Sequence, residues 1–176
     1  MSESAQSLTA KNSPVISELT DISVTHLAAR HGARSSLDEV ARSSFGLALP
    51  ATPRVVEAAG VMIVWAGPDQ WLVMQQRTNQ SDVSAELAKT FNGLASIVDV
   101  SDSRTIFRVT SSRPSDALVR SMGIDFDDTV FRPGDVAITH VSHLGVMVWR
   151  LPDGSGYDFA CARTYSRDFL DWLGKI

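Results

Sequence analysis

The sequence predicts an α+β fold, with antiparallel sheet(s), helices on one face, and two similar ββα-type halves. Three observations carry that prediction. Apolar residues alternate in some stretches and recur three to four apart in others, so strands and amphipathic helices both occur. Turn signals such as Gly67-Pro68-Asp69-Gln70 and Pro152-Asp153-Gly154-Ser155-Gly156 join neighbouring strands as hairpins, which argues against a doubly wound parallel sheet. The element order reads ββαββα and then βββα, as expected when helices pack on one side of an antiparallel sheet.

Residues 1–14 are Ser-rich and without period, a lead-in. From Ile16 to Gly32 apolar residues are scattered, which predicts an extended arm docked on something. Ser36-Leu37-Asp38-Glu39 fits a capping box. Leu37, Ala41 and Phe45 then recur at intervals of four and Gly46 follows as a stop, giving a short helix at about 36–45. Pro50 and Pro53 mark 50–59 as linker. Residues 1–59 therefore read as an N-terminal arm with one short helix and a linker, and residues 60–176 as the α+β domain.

Within that domain, Val61–Trp65 and Trp71–Met74 form the first hairpin. Ser81 is placed to cap a helix with a stripe of Val83, Leu87 and Phe91, stopped by Asn92-Gly93. Strands follow at 96–100 and 105–110, then a helix from Pro114 through Leu118 and Met122 to Gly123. A polar connection, 125–135, precedes strands at 136–141, 145–151 and 157–162. Thr164 is placed to cap a last helix carrying Tyr165, Phe169, Trp172 and Leu173 on one face.

A chain of 176 residues is one domain, or one with an appendage, and buries enough surface to need no staple. Hydrophobic residues at 44% and charged residues at 20% are globular values. Sixteen basic against twenty acidic residues give −4 with no charged tail, which argues against nucleic-acid and anionic-membrane partners. The single Cys161 forbids an intrachain disulfide and a Cys-rich zinc cage, and fits a reducing compartment. Met1-Ser2-Glu3-Ser4-Ala5-Gln6-Ser7 lacks the apolar core of a signal peptide, and no apolar run is long enough to span a membrane. A soluble cytoplasmic chain is expected.

The search for chemistry returns little. There is no Gly-x-Ser-x-Gly elbow, His-Glu-x-x-His, Walker loop or Gly-x-Gly-x-x-Gly. Gly154-Ser155-Gly156 sits between strands and reads as a turn. His140 and His143 would point to opposite faces of a strand, as ordinary sheet or interface histidines and not a metal pair. His26 and His31 carry no assigned chemistry. Asp125, Asp127 and Asp128 lack the further ligands of a calcium loop and read as solvated. Asp99 and Asp102, with Arg104 nearby, suit an Asx-turn or local ion pair fixing a hairpin. The functional alternative there is a carboxylate orienting an amine or pterin ring. Cys161 on an apolar strand reads as a buried, inert thiol. Trp65, Trp71, Trp149 and Trp172 each suit a core, yet burying both Trp65 and Trp71 beside a hairpin tip is awkward. With the arm, they lean toward a subunit of something larger. No catalytic, cofactor-binding or metal residue is assigned.

Trp65-Ala66-Gly67-Pro68-Asp69-Gln70-Trp71-Leu72 and Asp99-Val100-Ser101-Asp102-Ser103-Arg104-Thr105 resemble the gamma subunit family of heterotetrameric sarcosine oxidase. The likeness continues through Phe131-Arg132-Pro133-Gly134-Asp135, the 139–143 and Trp149-Arg150-Leu151 strands, and Arg163-Thr164-Tyr165-Ser166 into Trp172-Leu173. It runs from about Leu27 to the C-terminus. It departs at Ser111-Ser112-Arg113-Pro114, where the family usually shows a glycine.

The resemblance implies a fold like the folate-binding domain of the glycine-cleavage aminomethyltransferase. It implies a non-catalytic assembly role beside alpha, beta and delta subunits. Their complex oxidatively demethylates sarcosine to glycine, with formaldehyde or methylene-tetrahydrofolate and hydrogen peroxide. FAD, FMN, NAD, tetrahydrofolate and zinc are expected in those other subunits and none in this chain. The alternatives are a free-standing folate-binding one-carbon transfer protein and the equivalent subunit of an N-methyl amino-acid dehydrogenase.

Overall fold

The computed structural model describes residues 14–77, 82–110, 119 and 122–175. In chain order these residues form β1 (Val15–Glu18), β2 (Ile22–Ala29), α1 (Arg34–Phe45), β3 (Val55–Ala58), β4 (Val61–Gly67) and β5 (Gln70–Gln76). There follow α2 (Val83–Thr90), β6 (Ala95–Asp99), β7 (Arg104–Thr110), β8 (Val136–Val141), β9 (Leu144–Arg150), β10 (Tyr157–Ala162), a 3-10 turn (Arg163–Tyr165) and α3 (Ser166–Leu173). The strands make two five-stranded antiparallel sheets, ordered β3-β4-β5-β2-β6 and β8-β9-β10-β7-β1.

Written this way, the two sheets are copies. Each has a three-stranded meander, then the strand that precedes the meander in sequence, then an edge strand. A helix, α2 or α3, follows each meander. Two similar halves are present, but they are not confined to residues 60–176 as the sequence suggested. The first half runs from β2 to β6. The second runs from β7 to α3 and takes its edge strand, β1, from the N-terminal end of the chain.

The expected arm is therefore corrected. β2 is interior to its sheet, paired with β5 on one side and β6 on the other. Ser23, Val24, Thr25 and Leu27 are all buried along it. A strand covered on both faces loses its alternating pattern, and the short polar Ser23 and Thr25 break up the apolar run that remains. The expected linker at 50–59 contains β3, which pairs with β4 across a two-residue turn. Ala59 and Gly60 both take positive φ there, 50° and 79°, the pattern of a type I′ hairpin turn. Alanine is a poor sequence signal for that conformation.

Three buried layers hold the molecule together. Val24, Val64, Leu72, Met74, Ile106, Met147 and Trp149 fill the space between the sheets. Outside the first sheet, α1 and α2 press Leu37, Ala41, Val83 and Leu87 onto Leu27, Ile63, Trp71 and Val73. Outside the second, α3 sets Phe169 and Leu173 on Phe107, Val148, Phe159 and Cys161. Each sheet thus carries helices on one face and the other sheet on its opposite face.

Local signals held unevenly. Gly46 ends α1 in the left-handed conformation, as expected. Ser36 is inside α1 and not its cap; the cap position is Ala33, with no side-chain bond. Thr164 lies in the 3-10 turn, and no side chain caps α3. Asp82 caps α2, its Oδ1 accepting from Ala85 N–H at 3.0 Å. Ser81, Ser111-Ser112-Arg113-Pro114 and most of the helix expected from Pro114 lie outside the described residues. Met122, from the end of that stretch, is buried and bridges to Val141. The connection at 125–135 is less solvated than its charges suggest. Phe126 and Phe131 are buried in it, with Phe126 edge-on to Tyr157 at 5.5 Å.

Candidate functional site

The residues singled out from sequence mostly have local structural work. Asp99 Oδ1 accepts from Ser101 N–H at 2.9 Å and from Ser101 Oγ at 2.5 Å. Ser101 Oγ in turn accepts from Val24 N–H at 2.9 Å. This Asx-turn fastens the β6–β7 connection to β2. Asp125 and Asp127 make similar turns onto the backbone N–H groups of Asp127 and Thr129. Asp128 pairs with Arg150 at 2.7 Å. His140 is exposed on β8 and His143 is exposed in the two-residue β8–β9 turn. His26 shares a 3.1 Å hydrogen bond with Gln70 Oε1. Among the described residues no three His, Cys, Asp or Glu side chains are grouped to hold a metal.

Trp71 and Trp149 are fully buried, and Trp172 stacks on Phe169. Trp65 lies opposite Trp71 and packs, partly buried, on the same core. Burying the hairpin-tip pair is resolved by the segment after α1. Trp71 Nε1 donates to Pro50 O at 2.9 Å, and the Arg34 guanidinium lies over its ring at 4.4 Å. Cys161 is buried, and desolvation pushes its thiol up to about 11.

Two features were not anticipated. Arg108 on β7 grips the fully buried Asp158 on β10 through two 2.8 Å hydrogen bonds. Burial pushes the Asp158 carboxyl up and Arg108 opposes it. The other feature is a crevice of about 40 Å³ at the seam where the β1–β2 and β6–β7 connections cross between sheets. Leu19, Thr20, Ser101 and Asp102 line it from the connections, joined by Arg77, Arg104 and Arg163. Arg77 directly follows β5 and Arg163 directly follows β10, so the two arginines occupy equivalent positions in the two halves. Their backbones behave alike: Arg77 N–H donates to Asp21 O and Arg163 N–H to Ser103 O, each at 2.9 Å. Only a comparison of the halves strand by strand would have revealed this pairing, because the surrounding sequences differ.

The family model for "Sarcosine oxidase, gamma subunit family" matches residues 31–176. The chain belongs to that family. The match covers all of the fold except β1 and β2. No curated protein matches the sequence of this gamma-subunit family member. Among solved structures, it is similar to a chain of "Heterotetrameric Sarcosine Oxidase from Corynebacterium sp. U-96 in complex with pyrrole 2-carboxylate". That likeness has a TM-score of 0.76 at 18% identity, covering 91% of this chain and 81% of that one. It is also similar to the glycine cleavage system aminomethyltransferase T from Bartonella henselae. Here the TM-score is 0.64 at 12% identity, covering 90% of this chain and 44% of that one. The family member thus has the fold that its sequence resemblance implied, and spans less than half of the aminomethyltransferase chain. No helix among the described residues is long and apolar enough to cross a membrane.

Proposed function

We propose that this chain is a non-catalytic subunit that assembles with and stabilises a sarcosine oxidase complex in the cytoplasm. One observation carries the assignment: the gamma-subunit family match is continuous over residues 31–176, through the meanders of both halves. The partners would be alpha, beta and delta subunits. Together they would demethylate sarcosine to glycine with formaldehyde or methylene-tetrahydrofolate and hydrogen peroxide. FAD, FMN, NAD, tetrahydrofolate and zinc would sit in those subunits. An equivalent subunit of an N-methyl amino-acid dehydrogenase fits the same fold and differs in the substrate and the electron acceptor of the complex.

A free-standing folate-binding protein has weaker support. Asp99 is committed to Ser101. Asp102 borders a crevice of about 40 Å³, far below the roughly 300–1,000 Å³ of ordinary ligand pockets. The deciding experiment is gentle co-purification from the native host, with mass and absorbance recorded. Recovery of three partner chains and a flavin spectrum is expected, and sarcosine turnover by that material identifies the substrate. A colourless lone protein that binds folate would overturn the assignment.

A further inference from the structure

We propose that the seam crevice is an anion socket that takes one carboxylate, presented by an acidic side chain of a partner subunit. The proposal rests on the subunit assignment above and adds where and how a partner engages.

The lining holds three guanidinium groups and a single carboxylate. Arg163 spends its Nε–H on Asp102 O at 2.9 Å and its Nη2 hydrogens on Arg104 O at 2.9 Å and Ser101 O at 3.4 Å, which fixes the turn and leaves only Nη1 to face the crevice. Its approach to Glu18 is loose, at 3.8 Å. Arg77 reaches Asp102 only at 3.7 Å, and that aspartate is 96% exposed. Arg104 has no ion pair and no side-chain hydrogen bond to the described residues. Even with Glu18 and Asp102 each taking one arginine, one guanidinium charge is left over in a chain whose net charge is −4. Unspent arginine N–H donors in a shared recess favour a planar oxyanion, which they bind bidentately.

Size decides the form of the ligand. About 40 Å³ admits a carboxylate head and little more. The rest of the ligand must lie outside, over a rim where Arg77 and Arg163 are each about half exposed. That arrangement suits a side chain projecting from a protein surface better than a small molecule enclosed in a pocket. The placement agrees, because the socket sits between the two halves and both contribute one of the paired arginines. A partner seated there would clamp the connections that hold the sheets together.

The test uses the assembled complex. Arg104→Gln removes the unspent guanidinium while keeping the backbone carbonyl that Arg163 uses. Arg104→Lys keeps the charge without the planar fork, and Arg167→Gln, exposed on α3, is the control. Retention of this chain with its partners is read by size exclusion as NaCl is raised from about 50 to about 500 mM. Arg104→Gln is expected to weaken retention about tenfold and flatten its salt dependence, as loss of an interfacial charge contact does. Arg104→Lys should fall between, and Arg167→Gln should match the wild type. The thermal midpoint of the lone chain should be unchanged in all three.

Equal retention of Arg104→Gln and wild type overturns the socket and leaves the subunit assignment intact. A wild-type chain that retains no partner even at low salt overturns both. Saturable binding of inorganic phosphate to the lone chain that depends on Arg104, without any change in retention, assigns the crevice to a free anion and overturns the partner.

Discussion

Gly156 shows how little room the second sheet leaves. A Cβ at this position would come within 2.3 Å of Val109 O and 3.0 Å of Thr110 Cα, both backbone atoms that cannot turn aside. Gly145, on β9, has open space where a Cβ would stand, with nothing within 4 Å, and no positive φ. Gly156→Ala is therefore expected to cost about 2–3 kcal/mol, as overpacking against an unyielding neighbour does. Gly145→Ala should change stability by less than about 0.5 kcal/mol. Urea denaturation of the two variants side by side checks the contrast. The Arg108–Asp158 pair gives a second test at this scale. Asp158 is fully buried while Arg108 keeps about a third of its side chain in water. Asp158→Ala strips a buried partner but leaves a cation that can rehydrate, so the loss should be about 3 kcal/mol, the low end for a broken buried pair. Equal stability of the variant and the wild type would show that the pair is energetically idle.

At the scale of elements, α1 is held by its far side. Asp38, in the first turns of α1, reaches the segment that follows the helix, its Oδ1 accepting from Leu49 N–H at 2.7 Å while its Oδ2 accepts from Arg42 Nε–H at 2.9 Å. Burial pushes its carboxyl up. The hydrogen bonds from Arg42 and Leu49, with the charges of Arg42 and Arg34, outweigh that and hold it below the usual 3.8. A carboxyl lowered by folding contributes stability that is complete above pH 3.8 and is lost as pH falls through its lower folded value. Asp38→Ala is expected to cost about 1–2 kcal/mol at neutral pH, mostly from the orphaned Leu49 N–H. The gap to wild type should narrow below that pH, and a stability series against pH checks both statements. A gap that widened on acidification would reverse the sign of the argument.

Legibility from sequence divides along the same lines. α1, the β4–β5 hairpin and the β8-β9-β10 meander were readable because each shows its own period and its own stop. β2 was not, since an interior strand buried on both faces carries no alternation. β3 was not, since Ala59 takes the left-handed turn position that asparagine or aspartate would have advertised. Among the candidate residues, the turn role of Asp99 was legible from its neighbours in the chain. The arginine crevice was not, because Arg77 and Arg163 are brought together only by the pairing of two halves 86 residues apart in sequence.

The whole molecule is tied by exchange of strands between its halves. β1 belongs to the second sheet although β2, next in sequence, belongs to the first, and β6 and β7 cross the other way. Neither sheet can leave the other without tearing a connection, so the two sheets should unfold as one cooperative unit. The outermost layer on the second sheet is thinner. α3 has only eight residues and is seated by Phe169 and Leu173. Cys161 lies beneath it, with a thiol that desolvation raises to about 11. That thiol reports on the layer, since both its burial and its low thiolate fraction suppress reaction near neutral pH. A disulfide reagent should leave the folded chain unlabelled and react at a rate set by opening. In a Trp172→Phe background, which removes the tryptophan of α3, labelling in increasing urea is expected to follow the fluorescence of Trp65, Trp71 and Trp149, which pack in the other two layers. Coincidence of thiol and tryptophan transitions means that α3 is part of the cooperative unit. Labelling at urea concentrations where the tryptophans are still native would mean that α3 undocks first. The single-unit account would then hold for the interlocked sheets alone.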